Sequence, residues 1–256
     1  METFTASKII MDSKSFSYRY LDIITAFFVT VLVISNIASS AKIVGVGIAL
    51  PFPDFFGGFT RIPLAFDGGT LLFPLAYVLG DVLTEIYGFK VSKRVIWIGF
   101  GALILTMLTF LLLKVLPPDA IWEHNTGSIA YNSILGGMTS GGIVLASIIA
   151  YLAGEFVNAI LHSKVKVIMK GRHLWVRAIG SSLIGEFLDS LIFISIATIA
   201  KVFPAELFRS LVLTNYFIKI IIEILTLPLT YRIVRILKRK EGIDVYDIGI
   251  KYNPLK

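Results

Sequence analysis

Ten side chains that could bind a polar solute or carry a proton sit within stretches that are otherwise apolar. Six are carboxylates: Asp81, Glu85, Glu155, Glu186, Asp189 and Glu223. Asn36, Asn158 and Asn215 are amides, and on the sequence alone Lys219 is the one cation at that depth. An ionised group at the centre of a membrane helix costs roughly 2.5–3.5 kcal/mol on insertion scales, so each is by default a functional candidate. One lysine cannot neutralise six carboxylates. Some must be protonated, hydrated, or waiting for a ligand that brings donors or positive charge.

Spacing groups these residues on shared helix faces. Asp81 and Glu85 lie one turn apart, and Asn215, Lys219 and Glu223 form a stripe at successive fourth positions. Gly154-Glu155-Phe156-Val157-Asn158 reappears 31 residues on as Gly185-Glu186-Phe187-Leu188-Asp189, which suggests paired helices contributing equivalent groups. Gly80, Gly154 and Gly185, each beside an acid, would let helices approach closely. The plainer reading is that the polar groups only hold helices together. Such bonds average about 0.6 kcal/mol in a membrane bundle, and six acids with a lysine and amides on at least four helices exceed that role. A ligand or ion pathway is the better account. Lys219 taken singly could simply pair with Glu223 or an acid opposite, and Asp22, at a boundary, reads as solvated.

The elements that must hold these groups are transmembrane helices. Hydrophobic residues make up 56% of the 256, charged residues 16%, and mean hydropathy is +0.82; soluble domains carry about 25% charge. Six stretches reach the roughly 20 apolar residues that a crossing needs: 22–41, 70–87, 95–116, 141–161, 178–200 and 211–237. They are continuous rather than alternating, so they read as helices and not barrel strands. The fold class is therefore an all-α polytopic membrane protein: a polar cytoplasmic segment over 1–20, six transmembrane helices over 21–237, and a basic cytoplasmic tail over 238–256. Nothing in 1–20 resembles a cleaved signal peptide. With the N-terminus inside, eighteen of the 24 lysines and arginines fall on the cytoplasmic side and five outside, which orients both termini inward. Trp97 and Trp175 fall near the inner boundary, as interfacial anchors would. The net charge of +7 thus marks membrane sidedness, and no direct nucleic-acid binding is expected.

Two outer connections differ in character. Residues 42–69 carry Phe52, Phe55, Phe56, Phe59 and Phe66 among Pro51, Pro53 and Pro63, too broken for a helix and too aromatic for a free polar loop. They either dip back into the protein, where irregular backbone can be satisfied, or rest on the membrane surface. Residues 117–140 read as an ordinary outer connection. Enzyme readings find little support. There is no cysteine, no His-Glu-x-x-His pair, no Gly-x-Ser-x-Gly elbow and no phosphate loop. His124, His162 and His173 fall at or beyond span ends, and Tyr77 to Asp81 is a faint echo of an intramembrane aspartyl protease. Neither a cofactor nor a metal is called for. Transport is favoured.

The second span and its exit, Phe73-Pro74-Leu75-Ala76-Tyr77-Val78-Leu79-Gly80-Asp81-Val82-Leu83-Thr84-Glu85-Ile86-Tyr87-Gly88, resemble the hallmark of the queuosine precursor transporter family, six-span prokaryotic membrane proteins also described as vitamin-uptake-like. The resemblance extends to Ser35-Asn36, to Gly180-Ser181-Ser182-Leu183-Ile184-Gly185-Glu186 with Asp189 and Phe193, to Lys219, and to Pro228-Leu229-Thr230-Tyr231 with the basic tail. It covers about 20–240, although the 42–69 loop is longer than in some members. It implies uptake of 7-deazaguanine bases, in the 7-cyano and 7-aminomethyl forms, for queuosine synthesis in tRNA. The chemistry of such a base fits the residues. A carboxylate can accept from its ring N–H and amino group together, its carbonyl can accept from an amide or Lys219, and its faces can stack on aromatic rings. An aminomethyl group would add a charge for surplus carboxylates to hold.

On that reading Asp81, Glu85, Glu186 and Asp189 are the substrate or proton groups, supported by Asn36, Glu155, Asn158, Asn215, Lys219 and Glu223. Uptake would be facilitated or ion-coupled through a site near mid-membrane, with the deazapurine and the lipid bilayer as partners. Six spans are few for a self-contained carrier, which is compatible with a homodimer. Two rivals remain. A substrate-binding subunit of an ATP-driven vitamin importer would pull down ATPase subunits. A non-transport membrane assembly protein would leave uptake unchanged when Asp81, Glu85 or Glu186 is neutralised.

Overall fold

A helix facing lipid must be apolar along its length, and five long helices meet that demand. They are α1 (Leu21–Ala41), α3 (Phe89–Val115), α6 (Gly142–Ile168), α7 (Leu174–Ile199) and α8 (Phe208–Glu241). The structure, a computed structural model, describes residues 18–53, 59–125, 127–139 and 142–255; most of the expected 1–20 segment lies outside them. Between the long helices lie α2 (Phe73–Tyr87), α4 (Ala120–Asn125), α5 (Gly127–Thr139) and two strands, β1 (Ile43–Pro53) and β2 (Phe59–Asp67). The protein is thus a mainly helical, polytopic membrane protein.

The expected second span is shorter than a bilayer crossing. α2 has 15 residues, about 22 Å at 1.5 Å per residue, against a hydrocarbon core of about 30 Å. Twelve of the 15 are buried, because α2 packs against α1, α3, α6 and α8. Protein surrounds it where lipid surrounds the others, so its composition is free to include Asp81 and Glu85. A 3-10 turn over Gly68–Leu71 precedes it, nucleated by Asp67, whose carboxylate accepts from the Gly69 amide at 3.0 Å and the Thr70 hydroxyl at 2.8 Å. Pro74 sits in the first turn of α2, where its missing N–H goes unneeded.

The one departure from helix among the described elements is the antiparallel hairpin of β1 and β2, within an otherwise all-α membrane fold. Ile43 pairs with Asp67 and Pro53 with Phe59, with a register shift between Gly45 and Ala49. β-branched Ile43, Val44, Val46 and Ile48 favour an extended chain, and in a two-strand sheet each strand is an edge that tolerates Pro51, Pro53 and Pro63. β2 leaves an exposed Arg61, buries Ile62, Ala65, Phe66 and Asp67, and packs against α8. This end of the loop therefore dips into the protein; Phe55 and Phe56 lie outside the described residues. The connection over 117–140 also proves structured. Asp119 caps α4 through the Ile121 and Trp122 amides at 2.9 and 3.1 Å, and α5 packs on α1, α3 and α6.

The end of the chain is no free tail. α8 stops at Gly242, whose φ of +67° suits the left-handed cap, and residues 243–255 fold back across the ends of α2, α3 and α6. The Val245 amide donates to the Ile86 carbonyl at 3.2 Å. The Asp247 carboxylate accepts from the Phe89 amide at 2.8 Å and from Ser163. The Trp97 indole donates to the Pro254 carbonyl at 2.9 Å. Burial pushes the Tyr246 and Tyr252 hydroxyls up, with Asp244 adding to the effect on Tyr246, so both remain neutral donors. At the same end the amides of Arg19 and Tyr20 donate to the Glu241 carboxylate at 3.0 and 2.8 Å, which brings the start of α1 beside the end of α8.

Candidate functional site

The repeated pentapeptides meet in space. A Cβ on Gly154 of α6 would lie 3.0 Å from the Gly185 carbonyl, and one on Gly185 of α7 would lie 2.9 Å from the Gly154 carbonyl. The two helices cross glycine on glycine, and the Tyr77 ring of α2 wedges against both. All ten residues singled out from the sequence are at most 5% exposed, so they face protein and not lipid. They sort into three layers.

The first layer is a narrow cleft bounded by α1, the 3-10 turn, α2, α6, α7 and α8. Lys219 donates to Asp189 at 2.5 Å and lies 4.7 Å from the centre of the Phe73 ring, a cation–π distance. The lysine thus pairs with an acid opposite and not with Glu223. Phe193 and Asn36 complete the wall; the Asn36 amide nitrogen is engaged by the Leu32 carbonyl at 2.8 Å. Asn215 donates to Asp67 at 2.7 Å and so braces the turn rather than the Asp189 pair. Ser39 also donates to Asp67. Asp67, Ser39, Thr70 and Phe73 are cleft residues that sequence reasoning missed. Asp67 stands in a Gly-rich loop outside any apolar run, and Asp-Gly-Gly-Thr before a helix is the capping signal that could have marked it.

The middle layer holds carboxylates without partners. Both oxygens of Glu186, both of Glu223, one of Glu155 and the Tyr77 hydroxyl find no hydrogen-bond partner among the described residues. Glu223 lies beside Asp81 and Ser182. Asp81 accepts from Asn158 at 3.0 Å and stands 3.2 Å from His162.

The third layer is an ion-pair cluster centred on Glu85. Arg177 donates to both of its oxygens at 2.8 Å, Lys238 reaches it at 2.5 Å, His162 at 3.1 Å and Lys166 at 3.8 Å. Lys166 and Lys238 also hold Asp244 of the returning chain end at 2.6 and 2.8 Å. This overturns two expectations. Lys219 is not alone, because Lys166 and Arg177 are 1% and 2% exposed. His162 is not a span-end residue but lies buried between Asp81 and Glu85. The signal was present: 155, 158, 162 and 166 form one stripe on α6 at helical spacing. Glu85 is engaged by four side chains and stands apart from the cleft, which suits tying helices together better than holding a solute.

The arrangement is a run of buried polar groups through a membrane protein, with a cleft at one end, carboxylates without partners among the described residues at the centre and an ion-pair cluster at the far end. The profile of one protein family, described as Putative vitamin uptake transporter, matches residues 67–233. The chain is 26% identical over 167 residues to the Probable queuosine precursor transporter of Bacillus subtilis, covering 64% of this chain and 69% of that one. It is 25% identical over 169 residues to the protein of the same name from Haemophilus influenzae, covering 65% and 67%. It is 25% identical over 158 residues to the Queuosine precursor transporter of Escherichia coli, covering 61% and 66%. No solved structure matches the chain.

Proposed function

The chain belongs to the vitamin uptake transporter family whose profile it matches, and from that premise we propose that it imports the queuosine precursors 7-cyano-7-deazaguanine and 7-aminomethyl-7-deazaguanine. It is a multi-pass membrane transporter and not an enzyme. The 3-10 turn and α2 together span about 30 Å at 2.0 and 1.5 Å per residue, and serve as a sixth crossing. Both termini then lie in the cytoplasm, a placement supported by the bias of basic residues and by the meeting of Arg19 and Tyr20 with Glu241.

The observation that carries the substrate reading is the Asp189–Lys219 pair in the cleft that Phe73 and Phe193 also line. A deazaguanine offers two adjacent N–H donors to Asp189 and a carbonyl to Lys219. Its faces meet the two phenyl rings. The substrate exchanges hydrogen bonds with a pair already formed, so little desolvation is left uncompensated on binding. Asp81, Glu155, Glu186 and Glu223 lie farther along the path, and the Glu85 cluster closes the cytoplasmic end while the cleft is loaded. Release to the cytoplasm requires that cluster to part. Two copies of the chain forming a homodimer would suit so small a carrier.

The test is the queuosine content of tRNA in a host that cannot make the precursors, grown on a low external supply with and without this protein. Queuosine is expected to rise with the protein present and to fall back with Asp189→Asn. Equal content in both hosts would remove the substrate assignment.

A further inference from the structure

We propose that Glu186 and Glu223, with Glu155 and the hydroxyl of Tyr77, form a proton-binding site separate from the base cleft, and that the proton held there drives uptake. The inference rests on the transporter reading and adds to it an energy source and its residues.

Burial and geometry carry it. Glu155, Glu186 and Glu223 are 1%, 0% and 2% exposed, yet among the described residues five of their six oxygens have no hydrogen-bond partner, and the fully buried Tyr77 hydroxyl beside them has none. An ionised carboxylate so placed, without a donor or counter-charge, is costly. The groups around them do not supply the balance. From α2 they face Asp81 and Tyr77, from α6 His162 and Tyr151, from α7 Asp189 and Ser182, whose hydroxyl donates to Asn158 at 3.4 Å, and from α8 Lys219 and Tyr216. Lys219 is taken by Asp189, and His162 is shared between Asp81 and Glu85. Among the described residues three carboxylates remain with no cation of their own. A metal ion would need several oxygens or imidazoles converging on one point, and among the described residues no three acidic or histidine side chains do so. A proton needs only one oxygen, and it supplies the missing donor.

Lys219 couples this site to the cleft, since it pairs with Asp189 and also faces Glu186. When the base draws Asp189 away, the ammonium turns toward Glu186. The Glu186 carboxylic acid then gives its proton to the inner side and becomes the carboxylate that Lys219 balances. On return, with the base gone and Lys219 back on Asp189, that carboxylate takes a proton from outside. One proton therefore enters with each base.

The full chain, purified and placed in proteoliposomes, tests this with labelled 7-cyano-7-deazaguanine. A gradient of one pH unit, acidic outside, should concentrate the base up to about tenfold for one proton per base. Glu186→Gln and Glu223→Gln should end near equal concentrations inside and out. Accumulation that ignores the pH gradient, or follows a sodium gradient instead, overturns the proposal. Infrared difference spectra of the same proteins provide a readout without substrate. Wild type at neutral pH should show the carbonyl stretch of a buried carboxylic acid, weakened in both variants. Its absence from wild type overturns the proposal even if the variants fail to transport. If the band behaves as expected while wild type takes up no base, the deazapurine reading falls and the proton site stands.

Discussion

Replacing Glu85 with glutamine removes the carboxylate that ties α2, α6, α7 and α8 together at one end of the bundle. Arg177 donates to it twice at 2.8 Å, with Lys238 at 2.5 Å and His162 at 3.1 Å. Glutamine preserves the volume but leaves Arg177, 2% exposed, without its counter-charge, while Lys166 and Lys238 keep Asp244. Breaking a buried pair from one side costs about 3–5 kcal/mol. Arg177→Gln should cost less, about 2–3 kcal/mol, because Glu85 retains Lys238 and His162 and loses only hydrogen bonds to a charged group. If the cluster acts as a unit, the double variant falls short of the sum by at least about 1.5 kcal/mol. At about 2–4 °C per kcal/mol for a chain of this size, Glu85→Gln should lower Tm by roughly 6–20 °C. Thermal unfolding of the detergent-purified protein, followed by size exclusion, measures it. A Glu85→Gln variant within about 2 °C of wild type, or strictly additive losses, would refute the lock.

Phe73→Ala removes one stacking face of the cleft. Base–aromatic stacking is worth about 1–3 kcal/mol, so the KM for uptake of 7-cyano-7-deazaguanine should rise roughly 5- to 150-fold, and an unchanged KM would remove Phe73 from the site. Gly185→Ala puts a methyl 2.9 Å from the Gly154 carbonyl; the strain, about 1–3 kcal/mol, should appear as a lower Tm together with slower uptake. Asp247→Ala strips the Phe89 amide of its acceptor, a capping loss of about 0.5–2 kcal/mol, and should speed limited proteolysis within residues 243–255.

Lipid decides which parts of this fold are legible in the sequence. α1, α3, α6, α7 and α8 present apolar faces to the bilayer, with residues such as Phe27, Leu105 and Leu225 exposed, so their runs could hardly be missed. α2 is shielded by its neighbours, and its residues answer to packing and function instead. Two helix ends extend beyond the spans read from sequence: α6 runs to Ile168 and α7 starts at Leu174, because Lys166 and Arg177 turn into the protein rather than marking a boundary. The same misreading hid the Glu85 cluster. Spacing along one helix showed that Glu155 shares a face with Asn158, and Gly154 with Gly185 foretold a close crossing. It could not show that Lys219 reaches Asp189 from another helix, nor that Glu85 lies with Arg177 rather than with Asp189. Those pairings depend on helix rotation and depth, which residue order within a span does not encode.

The central claim is that this chain carries a deazapurine through its own path, and uptake of labelled 7-cyano-7-deazaguanine into proteoliposomes holding the purified protein alone measures it most directly. The account predicts uptake without any ATPase subunit, competed by unlabelled 7-aminomethyl-7-deazaguanine and reduced at least tenfold by Asp189→Asn. Uptake no faster than in empty liposomes, or appearing only when an ATP-hydrolysing partner is added, would contradict it.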